Sequence, residues 1–158
     1  TFQPAYIDAW LAAVQSGWHF RSGETICETT LEVAGLGEIT LQGRIDRIDQ
    51  NGDALQVIDY KTSTTQSLKK KRDAPGENVQ LPFYAYLCNA AAAYLPINDQ
   101  TIAPLQLDGE CDIEALVLRL PALLTALAHG KGLPANGVDT VCRYCEVRGL
   151  CRKGMWEE

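Results

Sequence analysis

The 158-residue chain has a single methionine, Met155, only two histidines, and no apolar run of 18 or more residues. Without such a run no helix can cross a bilayer, and no basic-then-apolar leader opens the chain. No membrane partner is therefore expected, and the expected location is the cytoplasm, nucleoid-associated in a bacterial cell. Basic charge is also scarce: 14 Lys and Arg against 20 Asp and Glu give a net charge of -6, which argues against a surface given over as a whole to nucleic acid. Internal repeats and low-complexity tracts are missing, which sets solenoid and linker architectures aside. Because the chain opens on Thr1, it reads as a piece cut from a longer protein. What is present is 46% hydrophobic residues, enough for the core of one domain over residues 1–158.

The periodicity gives an order of elements. In "AYIDAWLAAVQSGW", Tyr6, Ile7, Trp10, Leu11 and Val14 recur at helical spacing, and the helix should stop near Gly17. "TICETTLEV" changes to a strand pattern, "EITLQGRIDRID" alternates, "NGD" is a turn and "ALQVIDYKT" is the returning strand. "STTQSLKKKRDAPGE" lacks periodicity and is expected to be a mobile loop. "ENVQLPFYAYLCNA" predicts a helix with Val79, Phe83, Tyr86 and Leu87 on one side and Gln80 and Tyr84, four apart, on a neighbouring face. The alanines after it could prolong that helix, but Tyr94, Leu95, Pro96 and Ile97 favour a strand. "IAPLQL" predicts a short strand, and "DIEALVLRLPALLTALAHG" a helix that Pro121 either kinks or divides. The sum is an α/β fold with a central mixed β-sheet flanked by helices.

The hairpin "GRIDRIDQNGDALQVIDYKT" carries acids where hairpins usually carry neutral residues. An inward-facing carboxylate must be neutralised or ligated. Mg²⁺ takes one or two carboxylates plus waters and phosphate oxygens, which suits Asp46 and Asp59 from adjacent strands. Lys61 shares the strand face of Asp59 by the period of two, where an ammonium can orient an attacking water and stabilise charge developing on a phosphate. The plainer alternative pairs these acids with Arg44, Arg47 or Lys61 on a solvated sheet face.

"GRIDRID", "IDYKT" and "QLPFYAYL", in that order, resemble the successive motifs of the RecB/AddB-like nucleases of the PD-(D/E)xK superfamily, and "CRYCEVRGLC" resembles the cysteine tail of AddB-like members and of related CRISPR-associated exonucleases. The resemblance runs from about Glu24 to Lys153. It implies a restriction-endonuclease-like core and a Mg²⁺- or Mn²⁺-dependent deoxyribonuclease, an exonuclease of DNA repair or recombination, with DNA and a helicase domain or subunit as partners. Asp46 and Asp59 match the metal-binding acids, with the Tyr60 carbonyl a further ligand. Lys61 matches the catalytic lysine, and Gln80 and Tyr84 match the Gln-x-x-x-Tyr motif. The family's metal-binding histidine follows a Gly-x-x-x-His pattern that His19 lacks, so neither His19 nor His129 is assigned. Glu28 and Glu32 are auxiliary acids or, more simply, exposed strand residues. Lys69, Lys70, Lys71 and Arg72 would contact the DNA backbone. The alternative in another class is a non-catalytic DNA-binding or scaffold module that keeps the nuclease fold.

Within a cysteine-rich tail over 131–158, Cys142, Cys145 and Cys151 form Cys-x2-Cys-x5-Cys, a spacing that suits zinc or an iron-sulfur cluster. The resemblance favours three ligands of a [4Fe-4S] cluster over zinc, with the fourth outside this chain. Cys27, Cys88 and Cys111 are read as small core residues.

Overall fold

The computed structural model describes residues 4–73, 79–99, 102–107, 110–132 and 142–151. Helix α1 (Pro4–Gln15) leads into two long strands, β1 (His19–Val33) and β2 (Gly37–Asn51), and then β3 (Ala54–Lys61). Helices α2 (Thr65–Arg72) and α3 (Gln80–Cys88) carry the chain over the sheet to β4 (Ala91–Pro96), followed by the short β5 (Leu105–Gln106), helix α4 (Glu110–Ala128) and α5 (Arg148–Cys151). The five strands lie in chain order. Every neighbouring pair is antiparallel except β3 and β4, whose parallel pairing requires the helical crossover between them. This is the expected mixed sheet with flanking helices.

Local sequence explains the joints. Gly17, at φ 89°, ends α1, and the N–H of Trp18 reaches back to the Ala13 carbonyl at 2.9 Å. Asn51 and Ala54 pair across a tight turn in which Gly52 takes φ 58°. Asn89 closes α3 in the left-handed conformation, its N–H bonding the Ala85 and Tyr86 carbonyls.

Two apolar layers sandwich the sheet. On one face Ile58, Leu95 and Ile102 pack with Ala5, Tyr6 and Ala9 of α1. On the other, Ile48, Val57, Ala92 and Tyr94 pack with Leu68 of α2 and with Leu81 and Ala85 of α3.

Three expectations need correction. The residues expected to form a mobile loop make α2 over Thr65–Arg72, capped by the Thr64 hydroxyl, which accepts from the Ser67 N–H, and anchored by buried Leu68; residues 74–78 lie outside the described ones. Helix α1 packs through Ala5, Tyr6 and Ala9, leaving Ile7, Trp10 and Leu11 exposed, because the sheet beneath presents polar groups that Tyr6 can satisfy. Helix α3 buries Leu81, Pro82, Ala85 and Leu87 rather than Val79. His19 heads β1. Pro121 is accommodated within α4.

Candidate active site

The hairpin acids are set by register. The β2–β3 ladder pairs Arg47 with Ile58 and Ile48 with Val57, and one further step places Asp46 across from Asp59. Asp59 in turn pairs with Tyr94 of β4. Alternation then puts Asp46, Asp59 and Lys61 on the face covered by α2 and α3.

Ile45 and Ile48 belong to one core cluster although they are three residues apart, which a straight strand would forbid. The β1–β2 ladder pairs Gly23 with Arg47 and Thr25 with Ile45, and between them Glu24 takes φ 52°, a left-handed conformation uncommon outside glycine. The register is unbroken on either side of Glu24, and the ladder's shift lies between Phe20 and Ser22. The Glu24 carboxylate pairs with Arg44 at 2.7 Å in solvent.

Asp59 is buried, at 3% exposure. Lys61 Nζ makes a close ion pair with its Oδ2, at 2.5 Å. Burial raises the Asp59 pKa, the neighbouring charge of Asp46 adds to the rise, and Lys61 offsets only part of it. Asp46 Oδ2 accepts the Tyr60 backbone N–H at 3.2 Å. Lys61 Nζ also donates to Gln80 Oε1 at 3.2 Å, and Gln80 Nε2 donates to the Tyr84 hydroxyl at 3.2 Å. The i, i+4 pair at the start of α3 therefore continues a polar chain from the sheet: Asp59, Lys61, Gln80, Tyr84. The ammonium lies 5.7 Å from the centroid of the Tyr94 ring.

Among the described residues no group of three or more His, Cys, Asp or Glu is poised to hold a metal ion. What the face offers is two carboxylates from adjacent strands, one of them buried, which fits a hard cation completed by water and phosphate oxygens and not a closed structural site.

The opposite face carries a second charged cluster that sequence reading treated only as a neighbour of the first. Arg47 donates to both oxygens of Asp49, from Nε at 2.6 Å and from Nη2 at 2.9 Å. Its Nη1 reaches the hydroxyls of Tyr6 and Tyr60, each at 3.3 Å, and these hydroxyls lie 3.2 Å apart. Burial alone would lower the Arg47 pKa, but its bonds to Asp49 and Tyr60 reverse this and raise it. The Tyr60 side chain thus belongs to this face, while its backbone N–H serves Asp46. An available signal was the Arg-x-Asp spacing, which puts opposite charges on one strand face.

Of the basic run, Lys69, Lys70 and Lys71 are exposed on α2. Arg72 is folded back, its Nη1 donating to the Gln106 carbonyl at 3.2 Å and its Nε to Asp73 at 2.8 Å. Glu28, Glu32 and His19 are exposed, and His129 Nδ1 lies 2.7 Å from the Thr125 carbonyl. Cys142, Cys145 and Cys151 are free thiols on the tail, Cys145 and Cys151 exposed. Nothing is described of the Cys111 side chain.

No curated protein matches the chain. The crystal structure of SSO0001 superposes with a TM-score of 0.56 at 22% identity, covering 92% of this chain and 67% of that one; at this identity the likeness is one of fold. The family model of the PD-(D/E)XK nuclease superfamily matches residues 3–152. A match over nearly the whole length, joined to a mixed sheet that gathers two aspartates and a lysine on one face, makes this chain a member of the PD-(D/E)XK nuclease superfamily.

Proposed function

We propose that this domain hydrolyses DNA phosphodiester bonds with Mg²⁺ or Mn²⁺, at a site made by Asp46, Asp59 and Lys61. The observation that carries this reading is the gathering of Asp46, buried Asp59 and Lys61 on one face of the β2–β3 hairpin, with the Asp59 pKa raised by burial and by the nearby Asp46 charge. A divalent cation would relieve this accumulation of carboxylates. Asp46 and Asp59 would hold the ion, with the Tyr60 carbonyl as a third oxygen. Bound there, a divalent cation polarises the phosphate and makes water a stronger nucleophile. Lys61 orients that water and stabilises charge on the phosphate oxygens; Gln80 fixes the ammonium, and Tyr84 fixes Gln80. Lys69, Lys70 and Lys71, on the helix that follows the active strand, grip the DNA backbone without reading sequence, while Arg72 mainly secures α2 to β5.

Within the superfamily the motif order supports a RecB/AddB-like exonuclease of repair or recombination that works beside a helicase. The Cys-x2-Cys-x5-Cys spacing of Cys142, Cys145 and Cys151 suits a [4Fe-4S] staple completed by a cysteine elsewhere. Such a cluster would have to draw together three described thiols that the structure does not gather, with ligation energy serving as folding energy in the segment. Iron content with visible absorbance tests this, and stoichiometric zinc would refute it.

The deciding experiment is a calorimetric Mn²⁺ titration of the chain and of its Asp46→Ala/Asp59→Ala variant, followed by cleavage of labelled DNA. Metal binding and cleavage should both vanish in the variant. Metal-independent DNA binding without cleavage in the parent would favour a scaffold module instead.

A further inference from the structure

The active-site reading leaves one close pair of nucleophilic side chains unused. Cys27 lies on β1 and Cys88 is the last residue of α3, 61 positions later, yet Cys88 Sγ donates to Cys27 Sγ at 2.6 Å. Even two carbon atoms in contact rest about 3.5–4.0 Å apart, so these sulfurs are already well on the way to the roughly 2.05 Å of a disulfide. The approach follows from the packing around it. Cys27 pairs with Gly43 across the β1–β2 ladder, and a Cβ on Gly43 would lie 2.7 Å from Leu87 Cδ1 and 3.0 Å from the Tyr84 ring. A side chain at Gly43 would push Leu87 and the Tyr84 ring aside, and the close approach of α3 to the hairpin brings Cys88 beside Cys27. Both thiols are half-buried against the core.

We propose that Cys27 and Cys88 form an oxidisable dithiol, an internal modification site whose disulfide fastens the C-terminal end of α3 to strand β1. The oxidant is a low-molecular-weight disulfide such as oxidised glutathione. Cys27, as thiolate, attacks one sulfur of the oxidant, giving a mixed disulfide and releasing one glutathione. Cys88 then loses its proton and attacks the Cys27 sulfur, forming the internal bond and expelling the second glutathione. Two protein thiols are oxidised, and one glutathione disulfide is reduced to two thiols. Burial, with Cys27 beside it, pushes the Cys88 thiol up to about 12, which assigns the first attack to Cys27. The same helix carries Gln80 and Tyr84, so the bond would tie down the element that holds Lys61.

The test needs no nuclease activity. The chain is equilibrated in glutathione buffers from fully reduced to fully oxidised, quenched with acid, alkylated and mapped by mass spectrometry. Cys27 and Cys88 should lose their labels together as a cross-linked peptide forms, at a more reducing poise than any pair among Cys142, Cys145 and Cys151. The oxidised chain should melt roughly 5–10 °C above the reduced chain, the scale for closing a long loop in a domain of this size, and reductant should reverse the shift. Cys27→Ser should abolish both the cross-link and the rise. If serine there prevents folding, the oxidised and reduced parent chains alone decide. Independent labelling of the two cysteines under full oxidation, or a cross-linked form that melts no higher than the reduced one, overturns the proposal.

Discussion

The two faces of the β2–β3 hairpin carry similar residues to opposite ends. Asp49 and Asp59 are equally buried, at 2% and 3% exposure, and each has a cation two positions away on its own strand. On the α1 face Arg47 meets both oxygens of Asp49 and two tyrosine hydroxyls complete the guanidinium, so the cluster is satisfied. On the α3 face Lys61 offers a point charge to one oxygen of Asp59 and shares its protons with Gln80. Arginine's planar fork saturates a carboxylate, whereas lysine's ammonium leaves lone pairs over. Buried acids in one hairpin are thus structural on one side and open to a ligand on the other, and the number of donors tells them apart.

The sharpest way to break that contrast is to remove each aspartate in turn. Asp59→Ala should lower cleavage by about 10³-fold or more, since a cation contributes several kcal/mol of charge stabilisation at roughly 1.4 kcal/mol per tenfold. Its melting temperature in chelator should barely move; a large drop would make Asp59 structural. Asp59→Asn adds a pH test. Asp59's pKa is raised above the ordinary 3.8, so between 3.8 and its folded value the native metal-free protein keeps a proton the unfolded chain has released. The folded state binds more protons there, and stability therefore falls as pH rises through that window. Melts in chelator across acid pH should show this fall in the parent and not in Asp59→Asn.

Asp49→Ala should do the reverse, costing about 3–5 kcal/mol by leaving the Arg47 guanidinium buried without its partner. Replacing both partners, Arg47→Met with Asp49→Leu, should recover most of that loss, because what is costly is the widowed charge. Urea unfolding of the single and double variants measures both. If the single substitution costs under 1 kcal/mol, the closed face is less closed than its geometry implies.

The open face was the more legible one. Asp46, Asp59 and Lys61 sit at strand spacing and Gln80 and Tyr84 at helical spacing, so period alone selects the face each group shares, and motif order supplies the superfamily. The closed face was hidden because the period of two cannot say which helix will cover which side. The stripe of Ile7, Trp10 and Leu11 looked like the buried side of α1, yet the sheet called for the hydroxyl of Tyr6. Helix α2 was missed because its only buried residue is Leu68; a single anchor has no period, although Thr64 and the run of lysines are good cap and helix formers. The contact of Cys27 with Cys88 spans 61 positions and leaves no local trace.

Smaller changes sharpen how the open face is supported. Gly43→Ala pushes a methyl into Leu87 and Tyr84 and should cost about 1–3 kcal/mol, the usual range for overpacking. By displacing Tyr84 it should also weaken the hold of Gln80 on Lys61, lowering kcat more than it raises KM. An unchanged kcat at reduced stability would mean that Gln80 keeps its place without Tyr84.

Thr64→Ala is the mildest. The Thr64 hydroxyl accepts the Ser67 N–H at 3.3 Å, and losing that cap should cost about 0.5–1 kcal/mol. The cost should be local, because among the described residues α2 is held by Leu68, by the Thr65 N–H to Asp99 at 2.7 Å and by Arg72 to Gln106, on the face of the sheet opposite the Arg47 cluster. Hydrogen exchange should therefore quicken in α2, which carries Lys69, Lys70 and Lys71, while the amides of β2 around Arg47 and Asp49 keep their protection. Faster exchange on both faces at once would show that the two sides of the hairpin open together, and that the sheet does not insulate the ligand-ready acids from the satisfied ones.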